Sequence, residues 1–210
     1  MGTEGSRPLD DEALDLGCGE GAYAIEAAVH GADVLAIDAR RQRMDEGAAV
    51  AARHGLRNVR FAQEDVRRVT RATHGEFDVV LLLGLLHHLD APVAVLEHLR
   101  ELCRSALLVD TLVSLAPDAE IAWRDRAYRG HWHREHADDD PPEARRSKVL
   151  KSIDNTFSFR LSREALVRAN PIGNCNAGPG SEGTGGTRLS GGAGGEAPPG
   201  RRRGGPRGAP

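Results

Sequence analysis

The chain has 210 residues, a formal net charge of −3 and 40% hydrophobic residues. That is long enough for one ordinary domain with its own core. The longest apolar stretch, residues 79–86, is far too short to span a membrane, and no apolar run near the start resembles a signal peptide. Three cysteines, Cys18, Cys103 and Cys175, lack metal-type spacing and fit reduced thiols in a cytoplasmic setting.

The charge is unevenly spread. Residues 171–210 hold 14 of the 25 glycines and 6 of the 11 prolines, with five Arg against two Glu, so residues 1–170 carry −6. An acidic body argues against a large nucleic-acid footprint. The glycine- and proline-rich segment has almost no large apolar side chain to offset the entropy of ordering, so a disordered tail is expected over 171–210.

In chain order, strands and helices alternate. A short apolar run at 13–16 enters a glycine turn and then a helix pattern at 22–29. "ADVLAID" (32–38) reads as a buried strand, 40–55 as a helix closed by Gly55, and "NVRFAQED" (58–65) as a strand. "FDVVLLLG" (77–84) is a continuous apolar strand, 91–103 a helix, and "SALLVDTLV" (105–113) a fifth strand. Strands apolar on both faces and separated by helices imply an α/β fold: a doubly wound, Rossmann-like, mainly parallel sheet with helices on both faces. Ligands of such sheets bind beyond the carboxyl ends of the strands, where the glycine turn lies.

"DLGCGEGA" (15–22) admits more than one ligand. Gly17, Gly19 and Ala22 match a dinucleotide fingerprint, with Asp38 placed as a ribose-binding acid, so a nicotinamide-dependent oxidoreductase is a rival reading. Three features favour a nucleoside without a pyrophosphate. Asp15 stands two residues before the turn, where its carboxylate suits a cationic amino group and would repel a pyrophosphate. Gly21 adds a third tight position, and Asp65 ends the third strand where an adenine amino group can donate to it.

The glycine motif "DLGCGEG", the strand end "LAID", the "QEDV" element and "FDVVLLLGLLHHLDAP" together resemble the class I S-adenosylmethionine-dependent methyltransferases over residues 13–169. "LVDTLV", "YRGHWHREH" and "NTFSFRLSREALV" are similar to a bacterial branch related to tRNA wobble-uridine modifying methyltransferases. The resemblance implies S-adenosylmethionine as cofactor and methyl transfer to an unidentified small-molecule or nucleobase acceptor. It implies that Gly17, Gly19 and Gly21 admit the methionine moiety, that Asp38 accepts both ribose hydroxyls, and that Asp65 and the Val66 backbone read adenine. Asp15 would meet the amino group, Gly84 and Leu85 would line the methyl-donor end, and Cys18 would sit in the turn as a small residue. No metal is required, because the cofactor carries its own leaving group.

His87 and His88 are the candidate general bases, or else hold their loop. "HWHREH" (131–136) lacks the partners of a metal site and reads as solvated loop. Trp123, Tyr128, Trp132, Phe157 and Phe159 form either a cap over the acceptor or a small satellite core, within an insertion at 112–156. The resemblance also implies final strands that the composition break at Pro171 replaces, as in a truncated gene product. The sheet is therefore expected to lack its last strands, and a non-catalytic remnant is the other alternative.

Overall fold

The computed structural model describes residues 11–170, so the expected tail at 171–210 lies outside the described residues. Strands β1 (Glu12–Leu16), β2 (Asp33–Asp38), β3 (Val59–Gln63), β4 (Phe77–Leu83) and β5 (Cys103–Asp110) form one sheet in the order β3-β2-β1-β4-β5. All four pairings are parallel. Helices α1 (Ala22–Val29), α2 (Arg41–Arg53), α3 (Arg71–His74) and α4 (Pro92–Arg100) alternate with the strands. The strand order reverses between β1 and β4, so the crevice for a ligand opens where these two strands end.

Alternating side chains give the sheet two unlike faces. Ala13, Val34 and Ala36 meet Ala24 and Ala28 of α1 in a small-residue layer that lets the helix lie close. Leu14, Leu16, Ile37, Val80 and Leu82 point the other way, into a larger core with Val93, Leu96 and Leu99 of α4. Burial of such side chains contributes about 1.5–3 kcal/mol each, so this second face supplies most of the drive to fold.

β5 is the edge of the parallel sheet among the described residues, and the expected loss of the last strands concerns residues outside them. The chain then builds a second, antiparallel sheet from β6 (Ala119–Trp123), β7 (Arg126–Arg134) and β8 (Phe157–Leu161), with α5 (Pro142–Ser147) and α6 (Arg163–Ala169). This corrects the reading of "HWHREH" as solvated loop. Residues 131–134 lie in β7, paired with β8, and Glu135 and His136 just beyond are 3% and 2% exposed. Tyr128, Gly130 and Trp132 alternate inward while Arg129 faces out, a strand pattern masked by its charged and glycine positions.

The aromatic residues form neither a free-standing cap nor a separate core. Tyr128 and Phe159 belong to the main core, Trp123 and Trp132 pack against it, and Trp132 meets Phe159 edge-on at 5.0 Å between ring centroids. The Phe159 amide donates to the Leu89 carbonyl at 2.9 Å, pinning the second sheet to the loop after β4. That bond carries β7 and its continuation to the crevice.

Candidate functional site

The turn after β1 is held by two amides, Gly17 N and Cys18 N, that donate to the Ile37 carbonyl at 2.8 and 3.0 Å. Gly17, Gly19 and Gly21 have φ of 76°, 56° and 75°, a left-handed conformation that side chains disfavour. At Gly21 space matters too, because a Cβ would meet the Phe61 ring at 2.4 Å. Beyond the turn opens a cavity of about 330 Å³. Asp15, Gly17, Cys18, Gly19, Asp38, Asp65, Val66, Gly84, Leu85 and His88 line it, whereas Gly21 supports the turn from behind and His87 stands away from the wall.

The three acids differ in their partners. Asp15 is 2% exposed and its Oδ2 has no hydrogen-bond partner. Burial, with the Asp38 charge adding to it against a hydrogen bond from the Ala24 backbone, pushes its carboxyl up to about 6. Asp38 is pinned: Oδ2 accepts from Gly19 N at 3.0 Å and Oδ1 from Arg40 N at 2.7 Å. Each of its oxygens keeps a lone pair for a ribose hydroxyl. Asp65 accepts from the Arg67 backbone and guanidinium, which holds its carboxyl below the usual range. Burial pushes the Cys18 thiol up, so it is inert filling for the turn.

A strap unforeseen in the sequence completes the wall. Residues 149–154 border the cavity, with Leu150 82% exposed. Arg40 donates to the carbonyls of Arg146, Lys148 and Lys151, and Arg67 reaches Asp154 at 2.6 Å. The strap is thus fastened to residues two places beyond Asp38 and Asp65. Only the recurrence of an arginine two residues after each acid hinted at this.

The adjacent histidines have different partners. The Leu112 amide, an obligatory donor, points at His87 Nδ1 at 3.3 Å, so the His87 proton is on Nε2. Burial, reinforced by His88 and Arg160, drives the His87 imidazole down to about 3. His87 therefore holds the loop to the residues after β5. His88 Nδ1 lies 3.1 Å from Glu135 Oε1, and its Nε2 has no hydrogen-bond partner among the described residues. Glu135 was missed in the sequence, where nothing links it to a histidine 47 residues away. Among the described residues no three His, Cys, Asp or Glu gather to hold a metal ion, and no helix is long and apolar enough to cross a membrane.

Residues 13–106 match the sequence model of a family described as a methyltransferase domain. A ubiquinone biosynthesis O-methyltransferase from Acinetobacter baumannii (strain AYE) is 30% identical over 86 residues, 41% of this chain and 36% of that protein. The 23S rRNA (uracil(1939)-C(5))-methyltransferase RlmD of Klebsiella pneumoniae is 40% identical over 77 residues, 35% of this chain and 18% of that protein. The chain thus spans about a third or less of the length of these curated relatives. Among solved structures, the N-terminal domain of EvdMO1 with S-adenosylhomocysteine bound is similar at 25% identity and a TM-score of 0.60, covering 76% of this chain and 63% of that one. The cofactor of this methyltransferase family is S-adenosylmethionine. The family match is thus confined to residues 13–106, and the fold of the described residues is similar to that of a domain solved with S-adenosylhomocysteine bound.

Proposed function

We propose that the chain transfers a methyl group from S-adenosylmethionine to a small-molecule or nucleobase acceptor by in-line displacement. The observation that carries this reading is Asp15. A buried carboxylate oxygen without a partner, beside a glycine turn, matches a ligand with a cationic amino group there. A pyrophosphate at the same place would meet that charge with repulsion, which disfavours the nicotinamide alternative.

Asp15 would take the amino group, the turn at 17–21 the carboxylate, Asp38 the ribose and Asp65 with Val66 the adenine. When bound, the cofactor supplies an electrophilic methyl group on a sulfonium leaving group. Leu85 and Leu89 line the cavity beside Gly84, and apolar walls exclude water from the reacting atoms. The relatives' names divide between an oxygen acceptor and a uracil carbon, and the motifs after the fifth strand resemble a branch that acts on tRNA uridine, so likeness alone leaves the acceptor open.

Calorimetry with S-adenosylhomocysteine and with NAD on the full chain tests the reading. Binding of the former with a rise in melting temperature is expected, by mass action on the native state. A response to NAD alone would overturn it.

A further inference from the structure

Glu135 follows β7, and its side chain has no solvent exposure. Its carboxylate nevertheless takes three hydrogen bonds. Oε1 accepts from His88 Nδ1 at 3.1 Å and from Ser158 Oγ at 2.7 Å, and Oε2 accepts from Ser152 N at 3.1 Å. Burial alone would raise the carboxyl, but these donors outweigh it and hold it at about 2. An ionised carboxylate can only accept, so the proton of neutral His88 sits on Nδ1 and a lone pair is left on Nε2. His88 borders the cavity between Leu85 and Leu89, and that Nε2 has no partner among the described residues.

We propose that His88 is a general base oriented by Glu135, and that the acceptor atom is the oxygen of a hydroxyl group. This rests on the methyltransferase reading. A free amine brings its own lone pair, and a carboxylate is already an anion, so neither needs a base to attack. A neutral hydroxyl oxygen is a weak nucleophile that becomes strongly acidic once alkylated, so it must shed its proton as the new bond forms. The acceptor oxygen attacks the methyl carbon, the carbon–sulfur bond breaks and its electron pair stays on sulfur, giving a neutral thioether. His88 Nε2 takes the hydroxyl proton. The imidazolium so formed is balanced by the Glu135 charge until the proton leaves to solvent.

Glu135 is a positioning residue, and its amide variant has a specific consequence. The Ser152 amide can only donate, so in Glu135→Gln the side-chain oxygen must face Ser152 and the NH₂ group must face His88. His88 is then driven to carry its proton on Nε2, and the lone pair turns away from the cavity.

The experiment is nitrogen-15 NMR of the histidine rings in the full chain with S-adenosylhomocysteine, joined to a methyl-transfer assay. The expected result is an Nδ1-protonated His88 at pH 7.5 that switches to the Nε2 form in Glu135→Gln. An Nε2-protonated or doubly protonated wild-type ring, or a tautomer unmoved by the substitution, overturns the dyad. Should Glu135→Gln not fold, the wild-type tautomer and His88→Gln decide the question. Labelled S-adenosylmethionine is offered with catechol, D-fucose, benzylamine and benzoate. Transfer to catechol or D-fucose that drops at least about a hundredfold in His88→Gln is expected. Transfer to neither hydroxyl probe, or a His88→Gln rate equal to wild type, overturns the hydroxyl assignment. S-adenosylhomocysteine binding in the same sample separates the outcomes: if it persists, only this inference falls, and if it is absent, the methyltransferase reading falls first.

Discussion

Arg67 grips Asp65 through both carboxylate oxygens, with Nε 2.9 Å from Oδ1 and Nη2 2.5 Å from Oδ2, and the same Nη2 reaches Asp154 on the strap at 2.6 Å. Asp65 is therefore the anchor of the arginine that ties the strap, and in the proposed function it is also the partner for adenine. Its two roles separate by substitution. Asp65→Ala is expected to weaken S-adenosylhomocysteine binding by about 1.5–3 kcal/mol, the range for a hydrogen bond to a charged group. Asp154→Ala breaks only an exposed ion pair and should change affinity by less than about 1 kcal/mol. Calorimetry on folded variants checks both, and unchanged affinity in Asp65→Ala removes that residue from the site.

Asp15 makes the free protein pay a pH-dependent penalty that its ligand relieves. The folded carboxyl titrates at about 6, against about 3.9 in an unfolded chain. The folded state therefore holds the proton more tightly, and stability falls as pH rises from 4 through 6, by about 3 kcal/mol in all. Asp15→Asn cannot ionise. It should be more stable than wild type at pH 8, by a margin that shrinks toward pH 4, as read by urea denaturation at both values. It should also bind S-adenosylhomocysteine more weakly, because the amino group loses its anionic partner. A margin equal at the two pH values would show that Asp15 is not the buried carboxyl described here.

The parallel sheet was legible because its signals are local. "FDVVLLL" is apolar on both faces, and the three glycines of the turn announce a backbone that only they adopt easily. β7 was not legible, since Gly130 and Arg134 stand at positions of the alternation that apolar residues would fill, and its pairing with β8 spans a loop that no periodicity reveals. The candidate cofactor acids stood out because the sequence places them at or close to strand ends, with Asp65 falling two residues beyond β3. The partners that set their chemistry did not. Arg67 closing on Asp65, Arg40 holding the strap and Glu135 orienting His88 are choices among many possible ion pairs, and only the tertiary fold selects them. The two adjacent histidines look alike in sequence, and a single backbone amide, that of Leu112, tells them apart.

Gly21 and Gly84 separate backbone strain from crowding. Both have positive φ, 75° and 80°. A Cβ at Gly84 meets nothing within 4 Å, whereas one at Gly21 strikes the Phe61 ring at 2.4 Å. Gly84→Ala should cost about 1–2 kcal/mol from the left-handed conformation alone. Gly21→Ala adds an overlap worth about 1–3 kcal/mol more, and tilts the start of α1. Urea denaturation ranks the two variants, and equal losses would mean that Phe61 moves aside without cost.

His87 gives the last expectation, one of stability rather than rate. Its imidazole titrates at about 3 when folded, because burial and the neighbouring His88 and Arg160 disfavour the cation, and at about 6.5 when unfolded. The unfolded state thus binds the proton more readily, and the contribution of neutral His87 to stability, complete above pH 6.5, is lost as pH falls toward 3. His87→Ala lacks this titration and leaves the Leu112 amide without its acceptor, which costs about 1–3 kcal/mol if water does not replace it. The variant should therefore be less stable than wild type at pH 8, with a deficit that narrows by pH 4.5. Turnover of the folded variant decides its remaining role. If the loss at His87 is as deep as that of His88→Gln, His87 acts on the acceptor after all; if it is much shallower, His87 only holds the loop that presents His88.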